Sequence, residues 1–150
     1  MLEFRLLCGE LNRPLQAFFQ EMKSTGEEKF FHPHPLDNDT AKRLCEEYRG
    51  SDLYYAVVYE GKIVGYGLVR GWDEEYSVPS LGIALSRSVR GKGIGTSFMR
   101  FMHSAAKLKG SSKILLKVYK DNSVAFNLYS RLGYVFTASE GEQAVGYLDL

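Results

Sequence analysis

Between residues 79 and 138 the chain alternates between strand-like and helix-like hydrophobic periods, and this restricts its fold more than any other feature of its 150 residues. Residues 79–86 read as a strand, 95–108 as an amphipathic helix, 113–119 as a strand, 122–132 as a second helix and 134–138 as a strand. Helix 95–108 carries Phe98, Phe101, Met102, Ala105 and Leu108 on one face, and Gly110 can end it; Gly133 ends the next. Strands joined through a helix within one sheet run parallel. The preceding segment has the opposite character. Residues 53–59 and 62–70 are β-rich runs separated only by Glu60-Gly61, which reads as a hairpin turn and makes those strands antiparallel.

The rest of the chain completes this pattern. Residues 2–7 form a first strand, and 11–23 a helix with Leu11, Leu15, Phe18, Phe19 and Met22 at helical spacing. Residues 30–35 (FFHPHP) cannot be helical, because each proline pushes its predecessor towards extended geometry. A short helix follows over 39–48, with Leu44, Cys45 and Tyr48 turned inward, and 144–150 closes the chain as a strand. The expected fold is α/β of the α+β type, a mixed, mostly antiparallel central sheet with helices on both faces, forming one domain over 1–150.

Charge adds a second constraint. The net value is only +1, which argues against a polybasic nucleic-acid binder. Yet residues 87–120 hold nine Lys or Arg and no Asp or Glu, so this block carries +9 and the remainder −8. The block is either a solvated basic face or a site for a polyanion. Its cations are spread over a turn, a helix and a strand without interleaved stacking aromatics, which disfavours nucleic acid. Cys8 and Cys45 are too few for a disulfide framework, and no metal site is expected. The N-terminus lacks signal-peptide character, and the longest apolar run is seven residues, so no membrane association is expected and a cytoplasmic location is.

The glycine-rich turn Arg90-Gly91-Lys92-Gly93-Ile94-Gly95 lies inside this basic block, between a strand and the strongest amphipathic helix. Glycines allow close backbone approach, and free N–H groups at a helix start bind phosphate oxygens. The turn is not a P-loop, since Gly91-Lys92 is followed by Gly93 rather than Ser or Thr. It is not a dinucleotide fingerprint either, since Thr96 stands where the third glycine belongs. It does match R/Q-x-x-G-x-G/A through Arg90, Gly93 and Gly95. Downstream, Asn122, Ala125, Leu128, Tyr129, Gly133 and Tyr134 match N-x-x-A-x-x-L-Y-x-x-x-G-F/Y. With these two motifs in this order on these elements, the chain resembles the GNAT acetyltransferases across nearly all of its length.

The resemblance implies a sheet splayed between its fourth and fifth strands, with acetyl-CoA in the opening. Backbone groups of Ile83, Ala84 and Leu85 would pair with the pantetheine arm. Backbone N–H groups of Arg90, Gly91, Lys92, Gly93, Ile94, Gly95 and Thr96 would cradle the pyrophosphate. Asn122 would touch the pantetheine or cap its helix, and Lys120, Arg100 and Lys92 are candidates for the outer phosphate. Tyr129 would protonate the leaving thiolate. The general base is open between Glu74 and Glu75, which precede the strand lining the acceptor site, and His32 and His34, in the loop between the first helices. Trp72, Tyr76, Phe30 and Phe31 would give an aromatic wall, and Asp73 with Glu74 and Glu75 an acidic rim. Such a site suits a small cationic amine or an amino sugar. Two alternatives stay open: a protein N-terminal or lysine acetyltransferase, and a non-catalytic CoA-binding sensor. An exposed edge strand could support a homodimer.

Overall fold

The computed structural model describes residues 1–31 and 33–150; His32, one of the base candidates, lies outside the described residues. Seven strands among these residues form one sheet: β1 (Leu2–Leu6), β2 (Leu53–Tyr59), β3 (Lys62–Arg70), β4 (Ser80–Leu85), β5 (Lys113–Tyr119), β6 (Val135–Glu140) and β7 (Gln143–Asp149). Their order is β1-β2-β3-β4-β5-β7-β6, and every neighbouring pair is antiparallel except β4 and β5. The β2–β3 hairpin turns where expected, with Glu60 and Gly61 at φ of 50° and 78°. Both central residues therefore have the positive φ that a tight two-residue hairpin needs.

Helices α1 (Asn12–Ser24) and α2 (Asn38–Lys42) cover one face of the sheet, and α3 (Ile94–Leu108) and α4 (Ser123–Arg131) the other. The strands serve both layers by alternation. Tyr54, Ala56, Tyr66 and Leu68 pack with Leu15, Phe18 and Phe19 of α1, whereas Tyr55, Val57 and Val69 pack with Phe98, Met99 and Met102 of α3. Asp37 caps α2 by accepting the Thr40 N–H at 2.8 Å, and the helix continues to Glu47 as a wider π-turn instead of remaining α-helical. α3 approaches the sheet closely at Gly67, where a Cβ would stand 2.6 Å from Met102 Sδ and 2.8 Å from Phe98 Cε2.

The inner face of α3 differs from the sequence expectation. Phe98, Met99, Met102 and Ala106 are buried, Phe101 and Ala105 flank them, and Leu108 is 89% exposed. At about 100° per residue, Leu108 lies roughly 200° around the helix from Ala106, on the solvent side.

Candidate functional site

β4 and β5 are bridged at a single residue pair, Ser80 and Leu115, where the Leu115 N–H donates to the Pro79 carbonyl at 3.0 Å. Beyond that point the two parallel strands separate. The wedge opens into a cavity of about 900 Å³, lined on one side by Ile83, Ala84 and Leu85 and on the other by Lys117, Val118 and Tyr119. Parallel strands that no longer pair expose backbone N–H and C=O groups, which a bound extended molecule can satisfy.

The glycine turn closes one end of the wedge. Gly91 and Gly93 adopt φ of +74° and +80°, a region that side chains other than glycine's rarely enter, and Gly93 caps α3. The N–H groups of Ile94, Gly95 and Thr96, in the first turn of α3, have no intrahelical acceptor and carry the positive end of the helix dipole. Arg90, Gly91, Gly93, Gly95 and Thr96 all line the cavity. Lys92 is exposed, its Nζ donating to the Ser88 carbonyl at 3.1 Å, and Ile94 is half-buried against the α3 core.

α4 forms another wall. Asn122 caps it by accepting the Ala125 N–H at 3.4 Å, and Asn122, Ala125, Leu128 and Tyr129 line the cavity. Tyr129 is buried, and burial raises its phenol pKa above the ordinary value. The proton therefore stays on its oxygen at neutral pH.

The segment after α1 supplies the remaining wall through Glu27, Phe30, Phe31 and Pro33. Glu27, only 12% exposed, bridges Arg87 Nε at 2.7 Å and Arg90 Nη2 at 3.0 Å. Burial pushes its carboxyl pKa up, but the two guanidinium hydrogen bonds and charges outweigh this and hold it below the usual carboxylate range. The arginine of the glycine-turn motif is thus tied to α1's end. Sequence reasoning missed Glu27, because nothing local links it to residues sixty positions downstream.

The base candidates are scattered. The His34 ring packs against Phe19, Phe31 and Tyr66. Its Nδ1 donates to the Pro35 carbonyl at 2.8 Å, so in the neutral ring Nε2 accepts from the Tyr66 hydroxyl at 2.7 Å. Burial pushes its pKa down to about 4. Glu74 and Glu75 are exposed on the loop after β3 and do not line the cavity. The cause is Asp52, buried at the start of β2, whose Oδ1 accepts the N–H groups of Gly71, Trp72 and Asp73 at 3.0, 2.9 and 3.2 Å. Asp73 then accepts from the Tyr48 hydroxyl at 2.5 Å and the Ser51 N–H at 2.7 Å. These bonds draw the loop away from the wedge. Of the expected aromatic wall, Phe30 and Phe31 line the cavity, whereas Trp72 lies under Lys109 Nζ at 4.9 Å and Tyr76 is exposed. Among the described residues no group of three or more His, Cys, Asp or Glu is placed to hold a metal ion.

Comparison with known proteins places this geometry in context. The chain is similar to the streptothricin acetyltransferase of Streptomyces lavendulae, at 31% identity over 107 residues, covering 63% of this chain and 56% of that one. It is similar to the spermine/spermidine N(1)-acetyltransferase of Bacillus subtilis (strain 168), at 29% identity over 99 residues, covering 61% and 62%. The chain thus spans less than two thirds of the length of these curated relatives. In fold it is similar to the crystal structure of the PaiA N-acetyltransferase of Thermoplasma acidophilum in complex with coenzyme A, with a TM-score of 0.79, 16% identity and coverage of 100% and 99%. The model of the acetyltransferase (GNAT) family matches residues 10–134. With the splayed β4–β5 pair and both motifs on the elements that line it, the chain belongs to the acetyltransferase (GNAT) family.

Proposed function

We propose that this chain transfers an acetyl group from acetyl-CoA to a primary amine of a small-molecule acceptor, by direct attack of the amine on the thioester. The observation that carries this reading is the wedge itself. An opening with unpaired strand backbone along its length and a glycine-lined helix N-terminus at one end suits a pantetheine arm ending in a pyrophosphate. Arg90 and Lys92 of the basic block lie at that end, where their charge attracts the phosphates of coenzyme A. The two curated relatives are named for small amines, which supports a small acceptor over a protein.

In this reading Ile83, Ala84 and Leu85 offer backbone partners to the pantetheine, and the N–H groups from Gly91 to Thr96 hold the pyrophosphate, whereas the Arg90 N–H, expected to join them, is taken by the Arg87 carbonyl at 3.3 Å. Asn122 acts by capping α4, which sets the position of Tyr129. The amine nitrogen forms a bond to the carbonyl carbon, and the tetrahedral oxyanion takes a hydrogen bond from a strand N–H near Ile83. The ammonium form of the acceptor loses one proton before attack and the nitrogen a second one from the tetrahedral intermediate; the C–S bond breaks as Tyr129 gives its proton to the departing thiolate, and the tyrosine is reprotonated from solvent. Among the described base candidates, His34 has both nitrogens engaged and Glu74 and Glu75 stand outside the lining, so of these routes loss of the amine protons to solvent through the cavity mouth is favoured.

Thiol release from acetyl-CoA, measured with small amines, polyamines, amino-sugar nucleotides and peptides side by side, tests the proposal. Release with one or more small amines is expected. Tight CoA binding without release to any acceptor would overturn it in favour of a sensor, and release with peptides alone would favour a protein acetyltransferase.

A further inference from the structure

The end of the cavity remote from the glycine turn contains a cation that the proposed chemistry does not use. Arg70 ends β3 and pairs with Ser80, the first residue of β4. The glycine turn follows the other end of β4, five residues further on, or about 17 Å at the usual strand rise. Arg70 is therefore not placed to reach a phosphate held at that turn. It shares its strand face with Tyr66 and Leu68, the side covered by α1, and it lines the cavity.

The other charged side chains along the lining are accounted for. Arg90 is bound to Glu27, Lys117 is paired with Glu140 at 2.8 Å, and Arg131 is exposed at the end of α4. Glu27, the acidic side chain of the lining among the described residues, is occupied by two arginines. Arg70 is half-buried, and no carboxylate lies within salt-bridge distance of it among the described residues. Its Nη2 donates to the Pro33 carbonyl at 2.9 Å and its guanidinium also hydrogen-bonds the Tyr54 hydroxyl, two neutral partners that fix the side chain without neutralising it. Pro33 in turn packs over Gly82, where a Cβ would stand 3.1 Å from Pro33 Cγ. The guanidinium is thus held against the Pro33 carbonyl near the start of β4, with N–H donors to spare.

We propose that Arg70 binds an anionic group of the acceptor, so that this site takes a primary amine that also carries a carboxylate, as an amino acid does. This rests on the acetyl-transfer reading and narrows its substrate class. A planar carboxylate matches the guanidinium fork and offsets the cost of a half-buried unpaired charge. Anchoring the carboxylate beside Ser80 leaves the amine facing the stretch of β4 along which the thioester would lie. Asp73, Glu74 and Glu75, the acidic rim expected for a purely cationic amine, are not among the described lining residues, and Asp52 binds the N–H groups of the 71–73 turn.

The test compares matched acceptors: free amino acids, their carboxamides, and the corresponding decarboxylated amines. Each is measured by thiol release, and separately by calorimetric binding to the CoA-saturated protein. The carboxylate-bearing member is expected to be favoured at least tenfold in kcat/KM and in affinity. Arg70→Met is expected to abolish that preference while leaving the KM for acetyl-CoA unchanged, and Arg70→Lys to retain part of it. Equal or better use of the carboxamide or decarboxylated amine by the wild-type protein overturns the proposal, whatever the variants do. So does a preference that survives in Arg70→Met. If no acceptor is acetylated, the transfer reading fails, and the binding comparison still decides whether Arg70 selects a carboxylate.

Discussion

Replacing Glu27 by glutamine removes the charge that joins the end of α1 to the glycine turn. The carboxylate touches Arg87 and Arg90, whose side chains are 62% and 44% exposed, while Glu27 itself is 12% exposed. Exposed pairs contribute about 0.2–1 kcal/mol each. The glutamine also leaves two guanidinium groups beside each other with no countercharge, so a combined loss of roughly 1–2 kcal/mol is expected. For a chain of this size that corresponds to a fall in Tm of roughly 2–8 °C at pH 7. The sign with pH follows from the lowered carboxyl pKa. Stabilisation by Glu27 is fully present above the unfolded-state value, about 4.3, and disappears as pH falls below it through the lower folded value. Thermal unfolding of both proteins from pH 7 to pH 3 checks this, with the gap expected to close below about pH 4 and to shrink in 1 M salt. Equal melting temperatures at pH 7 and low salt, or a gap that widens on acidification, would refute the claim that the ion pairs act as a clasp.

Tyr129→Phe should lower turnover roughly tenfold or more while changing the KM for acetyl-CoA little, as steady-state kinetics would show; undiminished turnover removes the residue from the proton-transfer role. Gly67→Ala should cost about 1–3 kcal/mol, read as a lower Tm, because its Cβ would overlap Met102 and Phe98. His34 and His103 are both held neutral by burial, with pKa values pushed down to about 4. Their contribution to stability is complete above the unfolded value of about 6.5 and is lost as pH falls towards 4, roughly 2 kcal/mol for His34 by pH 5 and less for His103, which water screens more. Melting temperature against pH should therefore fall over that interval. His103→Gln, which can still bond Tyr134 but cannot titrate, should flatten the fall.

Elements set by local physics were legible before any coordinates. The hairpin at Glu60-Gly61 depends on adjacent residues and lies where the letters suggest; α3 begins at Ile94, one residue before the expected 95, with Gly93 as its cap, and Asn122 takes the capping role that was one of the two the resemblance implied. Leu108 shows the limit of that reading. Its spacing suited an inner face, but the angle at which α3 meets the sheet favours Met99 and Ala106 instead. The acceptor end was legible only in outline. Phe30 and Phe31 do line the cavity, yet Trp72, Tyr76, Glu74 and Glu75 are turned away by a hydrogen-bond set centred on Asp52, about twenty residues earlier.

Charge divides the same way. The sequence by itself determined that +9 is concentrated in residues 87–120 around a glycine turn, which is a property of order along the chain. Tertiary structure alone decided which charges remain free. It pairs Glu27 with Arg87 and Arg90 across sixty residues, encloses His34 among aromatic rings, and among the described residues leaves Arg70 in the cavity with no carboxylate at salt-bridge distance. The strength of a charge depends on its nearest counter-ion and its exposure to water, and both are set by contacts between segments far apart in sequence.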